Sequence, residues 1–265
     1  MTAKKESILA KIINLNAIRR RCAERMLKSN LSSINPEAIE GEDFSKHFAD
    51  EETTDLGLQY VIKSFIISRI RFIQENIGKG EFENSVFADI GDSSGIFLKV
   101  FNKKGIGVNI SKEAVINIKA KDIDSVRADV GNLPFKDGVF DNILFFEIFE
   151  HVPNPIETLK ELNRVCKKSV FLAIPYVSRT NIYEYKRNPE IPLFQNHIFE
   201  FSNDDFKKIV SHGGFKVHKE KKVDVFDCGI NLIDTFIFTM WKLFRERDMF
   251  CGCFTNFSIY HLTKR

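Results

Sequence analysis

Along the chain, apolar positions change their spacing twice. Over residues 3–29, Ile8, Ile12, Leu15, Ile18, Cys22 and Met26 recur every three or four positions, which predicts an amphipathic helix. Residues 30–52 lose that period and carry Ser-Ser, Asn-Pro and Gly-Glu-Asp punctuation, the pattern of a connector. A second helix is expected over 54–77, where Leu56, Leu58, Tyr60, Val61, Phe65, Ile66, Ile70 and Phe72 are apolar, and Gly78-Lys79-Gly80 is placed to end it. From Ser85 onward, short apolar runs alternate with helical periods. Strands are expected at 86–90, 106–110, 125–130, 142–146 and 170–174, with helices at 96–101, 112–121 and 155–165 between them.

That alternation predicts an α/β fold, a Rossmann-like doubly wound parallel sheet with helices on both faces. The 155–165 helix has Asn154 at the capping position, Pro155 at the first helical position and Glu157 where a capping box needs it. A further capped helix is expected over 202–211, then a strand at 215–223, an apolar helix from Gly229 to about Phe244, and a last strand at 257–262. The division this implies is an N-terminal helical annex, residues 1–80, ahead of a sheet domain, residues 81–265, of about seven strands.

Composition narrows this only a little. The 265 residues carry a net charge of +3, with 43% hydrophobic and 28% charged residues, so bulk charge disfavours nucleic acid as a partner. The first helix is locally basic, with Lys4, Lys5, Lys11, Arg19, Arg20, Arg21, Arg25 and Lys28. Such a helix can dock on the domain with its charges solvated, or rest on an anionic membrane surface or on RNA. The five cysteines are odd in number and scattered, which fits reduced thiols in the cytoplasm. Cys251-Gly252-Cys253 with His261 is too small a set for a metal site, so no metal is expected. No uninterrupted apolar run reaches the 18 residues of a spanning helix, and the Gly229–Phe244 stretch is broken by Asn231, Asp234 and Lys242.

The candidate chemistry gathers at strand ends. Asp89-Ile90-Gly91-Asp92-Ser93-Ser94-Gly95 reads as a strand end, a glycine turn and a helix start, the arrangement that holds nucleotide-like ligands in open α/β sheets. Asn109 follows Gly91 by the interval at which such folds place a ribose-binding side chain, with Ile110 beside it. Asp129 and Val130 follow the third strand and precede Leu133-Pro134-Phe135. Phe140-Asp141 opens the fourth strand, which ends in Glu147-Ile148-Phe149-Glu150-His151. Past the fifth strand, a segment over 177–195 is long enough for a substrate lid and leads to His197.

In that order these motifs resemble the class I S-adenosylmethionine-dependent methyltransferases, of the small-molecule, type 11-like kind, over residues 86–217. The resemblance implies a bound S-adenosylmethionine that leaves as S-adenosylhomocysteine. By it, Asp89 would lie by the methionine ammonium, and Gly91, Asp92, Ser93 and Gly95 would form the turn that approaches it. Asn109 and Ile110 would meet the ribose side, Asp129 the adenine amino group, the Val130 amide a ring nitrogen, and Glu147 the edge of the methyl site. Ser93 stands where the family usually has a second glycine, and Asn109 where it usually has Asp or Glu, which removes a charge-assisted bond to the ribose. Asp129 can alternatively cap its own turn. His151 and His197 are the candidate bases, His151 having the alternative role of holding the loop before the 155–165 helix.

The function implied is methyl transfer to a small or lipid-like acceptor. Three alternatives stand beside it: a non-catalytic member that uses the fold for binding, an RNA-modifying enzyme docking through Arg19-Arg20-Arg21, and a nicotinamide dehydrogenase. The last is disfavoured by the incomplete Gly-x-Gly-x-x-Gly.

Overall fold

The structure is a computed structural model that describes residues 56–91, 93–101, 105–175, 181–182, 197–223 and 257–265. The expectations for the 3–29 helix, the 30–52 connector, Asp92, the 177–195 lid apart from residues 181–182, the Gly229–Phe244 helix and Cys251–Cys253 lie outside the described residues.

The near-continuous apolar runs of the chain become strands covered on both sides. β1 (Phe87–Ile90), β2 (Gly105–Asn109), β3 (Ser125–Arg127), β4 (Phe140–Phe146) and β5 (Cys166–Pro175) pair in parallel. β8 (Phe215–Val223) and β9 (Phe257–Lys264) complete a seven-stranded sheet in the order β3-β2-β1-β4-β5-β9-β8, and β9 runs antiparallel to both of its neighbours. The expected doubly wound sheet is what forms, with its last strand, β9, inserted antiparallel. A separate two-stranded ribbon joins β6 (Asn181–Ile182) to β7 (Phe199–Glu200).

The helices are α1 (Leu56–Asn76), α2 (Lys79–Asn84), α3 (Ile96–Phe101), α4 (Lys112–Lys119), α5 (Pro155–Val165) and α6 (Asn203–His212), with a 3₁₀ turn at Phe149–His151. Strand parity sorts the core into two halves. On β4, Leu144 and Phe146 face the half that α1 and α3 cover, whereas Ile143 and Phe145 face the half under α5 and α6. On β1, Phe87 belongs to the first half and Ala88 and Ile90 to the second, so Asp89 shares the α1 side. α1 is buried on several faces from Phe65 to Ile70; Phe65 packs edge-on against Phe257 and Phe72 against Phe171.

Several boundaries differ from expectation for local reasons. α1 ends at Asn76, just ahead of Gly78 as expected, but Gly78 is also the N-cap of a further helix, α2, that was not expected. β3 stops at Arg127 because Asp129 draws the chain into a turn, its Oδ1 accepting from the Gly131 amide at 2.8 Å. β5 begins earlier than its apolar run: Phe140 on β4 already pairs with Cys166 at its start, and β9 pairs along it from Ser169 to Pro175. Asn154 occupies the N-cap of α5 but its side chain makes no capping bond, and Glu157 pairs with Lys160 at 2.8 Å instead of closing a capping box. α6 is capped as expected, Ser202 Oγ accepting from the Asp205 amide at 3.3 Å.

Candidate functional site

Strand order reverses between β1 and β4, because β2 and β3 lie on one side of β1 while β4 and β5 lie on the other. In open α/β sheets, ligands are held at the carboxyl edge beside such a switch point. The expected site residues from Asp89 to His151 that are described lie along this edge or in the turns that follow its strands, whereas His197 lies just before β7 of the separate ribbon.

The first turn is set by backbone geometry. Gly91 has φ +88 and Gly95 φ +73, conformations that a side chain rarely adopts. Gly91 also donates its amide to Val108 O at 2.7 Å, and a Cβ there would stand 2.2 Å from Ile148 Cγ1. The turn after β1 therefore fits directly against the turn after β4. Ser93 is exposed. Lys121 Nζ donates to Ser94 O at 2.8 Å and fastens the loop from below.

Asn109 stitches strand ends together. Its Nδ2 donates to Gly91 O at 3.1 Å, its Oδ1 accepts from the Ser111 amide at 2.8 Å, and its own carbonyl accepts from the Ala128 amide at 3.1 Å. Ile110, next to it, is 62% exposed, an apolar surface just past the carboxyl end of β2. Asp129 is exposed and uses Oδ1 in its own turn, so the capping alternative holds for that oxygen; Val130 packs at the edge of the α5-side core.

Charge concentrates on the β1–β4 side. Asp89 is buried at the end of β1. Glu147 follows β4 with φ +57, one of two non-glycine residues with positive φ among the described residues, a strained backbone of the sort found at functional sites. Its amide donates to Ala173 O at 3.1 Å, and its carboxylate is ion-paired with Arg69 of α1. Arg69 is 4% exposed and lies over the rings of Phe146 and Phe257, 5.3 Å and 5.5 Å from their centroids. Burial lowers its pKa to about 10, against the opposing pull of Glu150 and Asp89.

Glu150, in the 3₁₀ turn, is 2% exposed. Burial pushes its carboxyl up to about 8, only partly offset by a backbone hydrogen bond and the charge of Arg69. Its carbonyl accepts from the Ile198 amide at 2.9 Å, which brings the segment after the 183–196 stretch against the 3₁₀ turn. As a result the two candidate bases meet: the rings of His151 and His197 are 4.9 Å apart at 78°.

Sequence reasoning missed Arg69 and the part played by Glu150. A signal existed for each. Arg69 is a lone cation in the apolar run Phe65-Ile66-Ile67-Ser68-Arg69-Ile70, and Glu150 lies between Phe149 and Val152 where solvated acids are uncommon.

The seven-stranded order with its antiparallel β9, and the glycine turn at the switch point, make a Rossmann-like sheet of the kind found in methyltransferases. Residues 88–174 match the family described as a methyltransferase domain. An uncharacterized protein of Methanocaldococcus jannaschii is 34% identical over 124 residues, which cover 45% of this chain and 58% of the relative. A second from the same organism is 29% identical over 140 residues, covering 50% and 60%. The chain thus spans about three-fifths of the length of these curated relatives. Among solved structures, a putative methyltransferase from Bacillus halodurans matches with a TM-score of 0.52 at 15% identity, covering 74% of this chain and 97% of that one. Magnesium protoporphyrin IX methyltransferase from Synechocystis, solved with bound S-adenosylmethionine, matches at 0.52 and 10% identity, covering 84% and 89%. At these identities the likeness to both is one of fold. No helix among the described residues is long and apolar enough to cross a membrane.

Proposed function

We propose that this protein is an S-adenosylmethionine-dependent methyltransferase acting on a small or lipid-like acceptor. One observation carries the reading. The Gly91 turn, Asn109 and Glu147 converge at the β1/β4 switch point, inside the segment that matches the methyltransferase family.

The donor set at that edge fits the cofactor. Asp89 supplies a buried carboxylate for an ammonium, and Ile110 an apolar rim for the adenosine side. Asn109, held at the end of β2 by its bonds to Gly91 and Ser111, offers an amide of the kind that meets ribose hydroxyls. In this reading Gly91, Asp92, Ser93 and Gly95 form the turn around the methionine end, Asp129 and Val130 face the adenine, and Glu147 bounds the methyl position.

When bound, the cofactor supplies an activated methyl group, and the chain's task is to hold donor and acceptor in line and keep water away. Arg69 fixes the Glu147 carboxylate in place and lowers the net negative charge at the edge. In this reading His151, in the 3₁₀ turn after Glu147, and His197 beside it are the groups that take a proton or bind a polar atom of the acceptor. Residues 1–80 and the 177–195 segment would close over the site, acting as annex and lid to a domain of residues 81–265. The setting expected is the cytoplasm.

Calorimetry with S-adenosylmethionine and S-adenosylhomocysteine tests this. Binding is expected for the native chain, its loss for Asp89→Ala and Gly91→Val, and its retention for His151→Ala. Native-level affinity in Gly91→Val would remove the turn from the site.

A second reading, a binding protein on the methyltransferase fold, draws support from Asn109, whose amide is neutral and already engaged with Gly91 and Ser111. No measurable cofactor binding by the native chain would favour it.

A further inference from the structure

The 3₁₀ turn after β4 holds a group of side chains that the cofactor does not need. Glu150, His151 and His197 each present a ligand-type atom, and these atoms all lie within 4.8 Å of one another. Two elements far apart in sequence build the group, and they are tied by the Ile198 amide on Glu150 O at 2.9 Å.

Three features distinguish the group from a chance cluster of surface side chains. Glu150 is 98% buried, and its Oε2 has no hydrogen-bond partner among the described residues. Leaving a carboxyl oxygen unsatisfied in the interior is costly, and a cation is one of the few ligands that would meet it. His197 Nδ1 stands 3.5 Å from Glu200 Oε1, a carboxylate beside the imidazole of the sort that helps orient histidine ligands. The His151 ring meets His197 edge-on rather than stacked, so the two imidazole planes are not parallel and their nitrogens are not forced apart.

We propose that Glu150, His151 and His197 form a binding site for a divalent first-row transition cation such as Mn²⁺, Co²⁺ or Zn²⁺. Two imidazole nitrogens and one carboxylate oxygen select this class over Mg²⁺ and Ca²⁺, which prefer all-oxygen shells. Three protein ligands leave coordination positions for water or for an oxygen atom of an incoming molecule. The site adjoins the methyl-transfer edge, since Ile148 of the same turn lies against Gly91 and Glu147 precedes it. Resting on the methyltransferase reading, the cation is placed to hold an oxygen-bearing acceptor beside the donor. His151 and His197 then serve as ligands, and a proton lost from the acceptor passes to water.

The test titrates Co²⁺ into the full-length chain, without cofactor or acceptor, and follows the visible ligand-field absorption. One equivalent is expected to saturate the signal. His151→Ala, His197→Ala and Glu150→Gln should each weaken binding by at least tenfold, with circular dichroism reporting that each variant is folded. Zn²⁺ should abolish the signal stoichiometrically, whereas millimolar Mg²⁺ should leave it in place. Absence of a saturable signal in the native chain, or equal binding in the three folded variants, overturns the site; displacement by Mg²⁺ overturns the choice of cation. Cofactor calorimetry on the same sample separates the two readings. Co²⁺ binding without cofactor binding keeps the metal site and sinks the methyltransferase reading, and the reverse sinks the metal site alone.

Discussion

Gly91 answers to two neighbours at once. Its positive φ excludes an ordinary side chain, and the space a Cβ would take is filled by Ile148. Gly91→Ala should therefore cost about 1–2 kcal/mol in a denaturant titration, from backbone strain and the shift forced on Ile148. Arg69 is the more consequential residue. It is buried against two phenylalanine rings and is the ion-pair partner of Glu147. Truncating the buried Arg69 leaves the half-buried Glu147 without its counter-charge and empties the space over two rings, and Arg69→Ala should lower stability by about 3 kcal/mol. Arg69→Lys should recover part of the loss, since it restores charge without the planar fork. Equal stability of the Ala variant and the native chain would show that Glu147 does not depend on the pair.

At the scale of elements, two helices that look alike in sequence part company in structure. Ser202 and Asn154 both occupy N-caps, yet only Ser202 makes the side-chain bond. Ser202→Ala should cost about 1 kcal/mol, whereas Asn154→Ala should change stability by no more than about 0.5 kcal/mol. α5 is anchored by other means. Arg164 donates to Phe135 O at 2.7 Å and Leu133 O at 3.0 Å, and pairs with Asp137 and Glu161 at 2.7 Å each. It thereby fastens the segment that follows Asp129.

These contrasts show what the sequence could disclose. The bounds of α3, α5 and β8 were legible because apolar period, proline and glycine signals coincide there. Glu147 was legible as a strand-end acid. The Arg69–Glu147 pair was not, because its partners are 78 positions apart and no local pattern joins a helix to the edge of a sheet laid down later. For the same reason His151 and His197 read as two separate candidates, although Ile198 brings them into contact.

For the molecule as a whole, acid sensitivity should originate away from the site. His261 on β9 is buried, stacks on Phe171 at 4.6 Å and shares a 2.8 Å hydrogen bond with Ser169. Burial, with His218 and Lys219 nearby and only Glu81 opposing, lowers its pKa to about 4. An unfolded histidine takes up a proton near pH 6.5, so between about 6.5 and 4 the unfolded chain binds more protons than the folded one. Stability should be full above that window and fall as pH drops through it, and His261→Gln should flatten this part of the curve. Thermal melts across pH 4–7 measure the slope. The raised carboxyl of Glu150 contributes a slope of opposite sign over much of this range, so the comparison is with the native chain: a His261→Gln variant with the native slope would exclude His261 as the acid-labile group.

Arg69 has one more implication. The segment that matches known methyltransferases starts at residue 88, but the cation that balances its acidic rim comes from a helix upstream of that boundary. A chimera grafting residues 88–174 onto another scaffold would import the carboxylates and leave their neutraliser behind. Reach in sequence similarity and reach in electrostatics are different here, and the smallest portable unit has to include the helix that ends at Asn76.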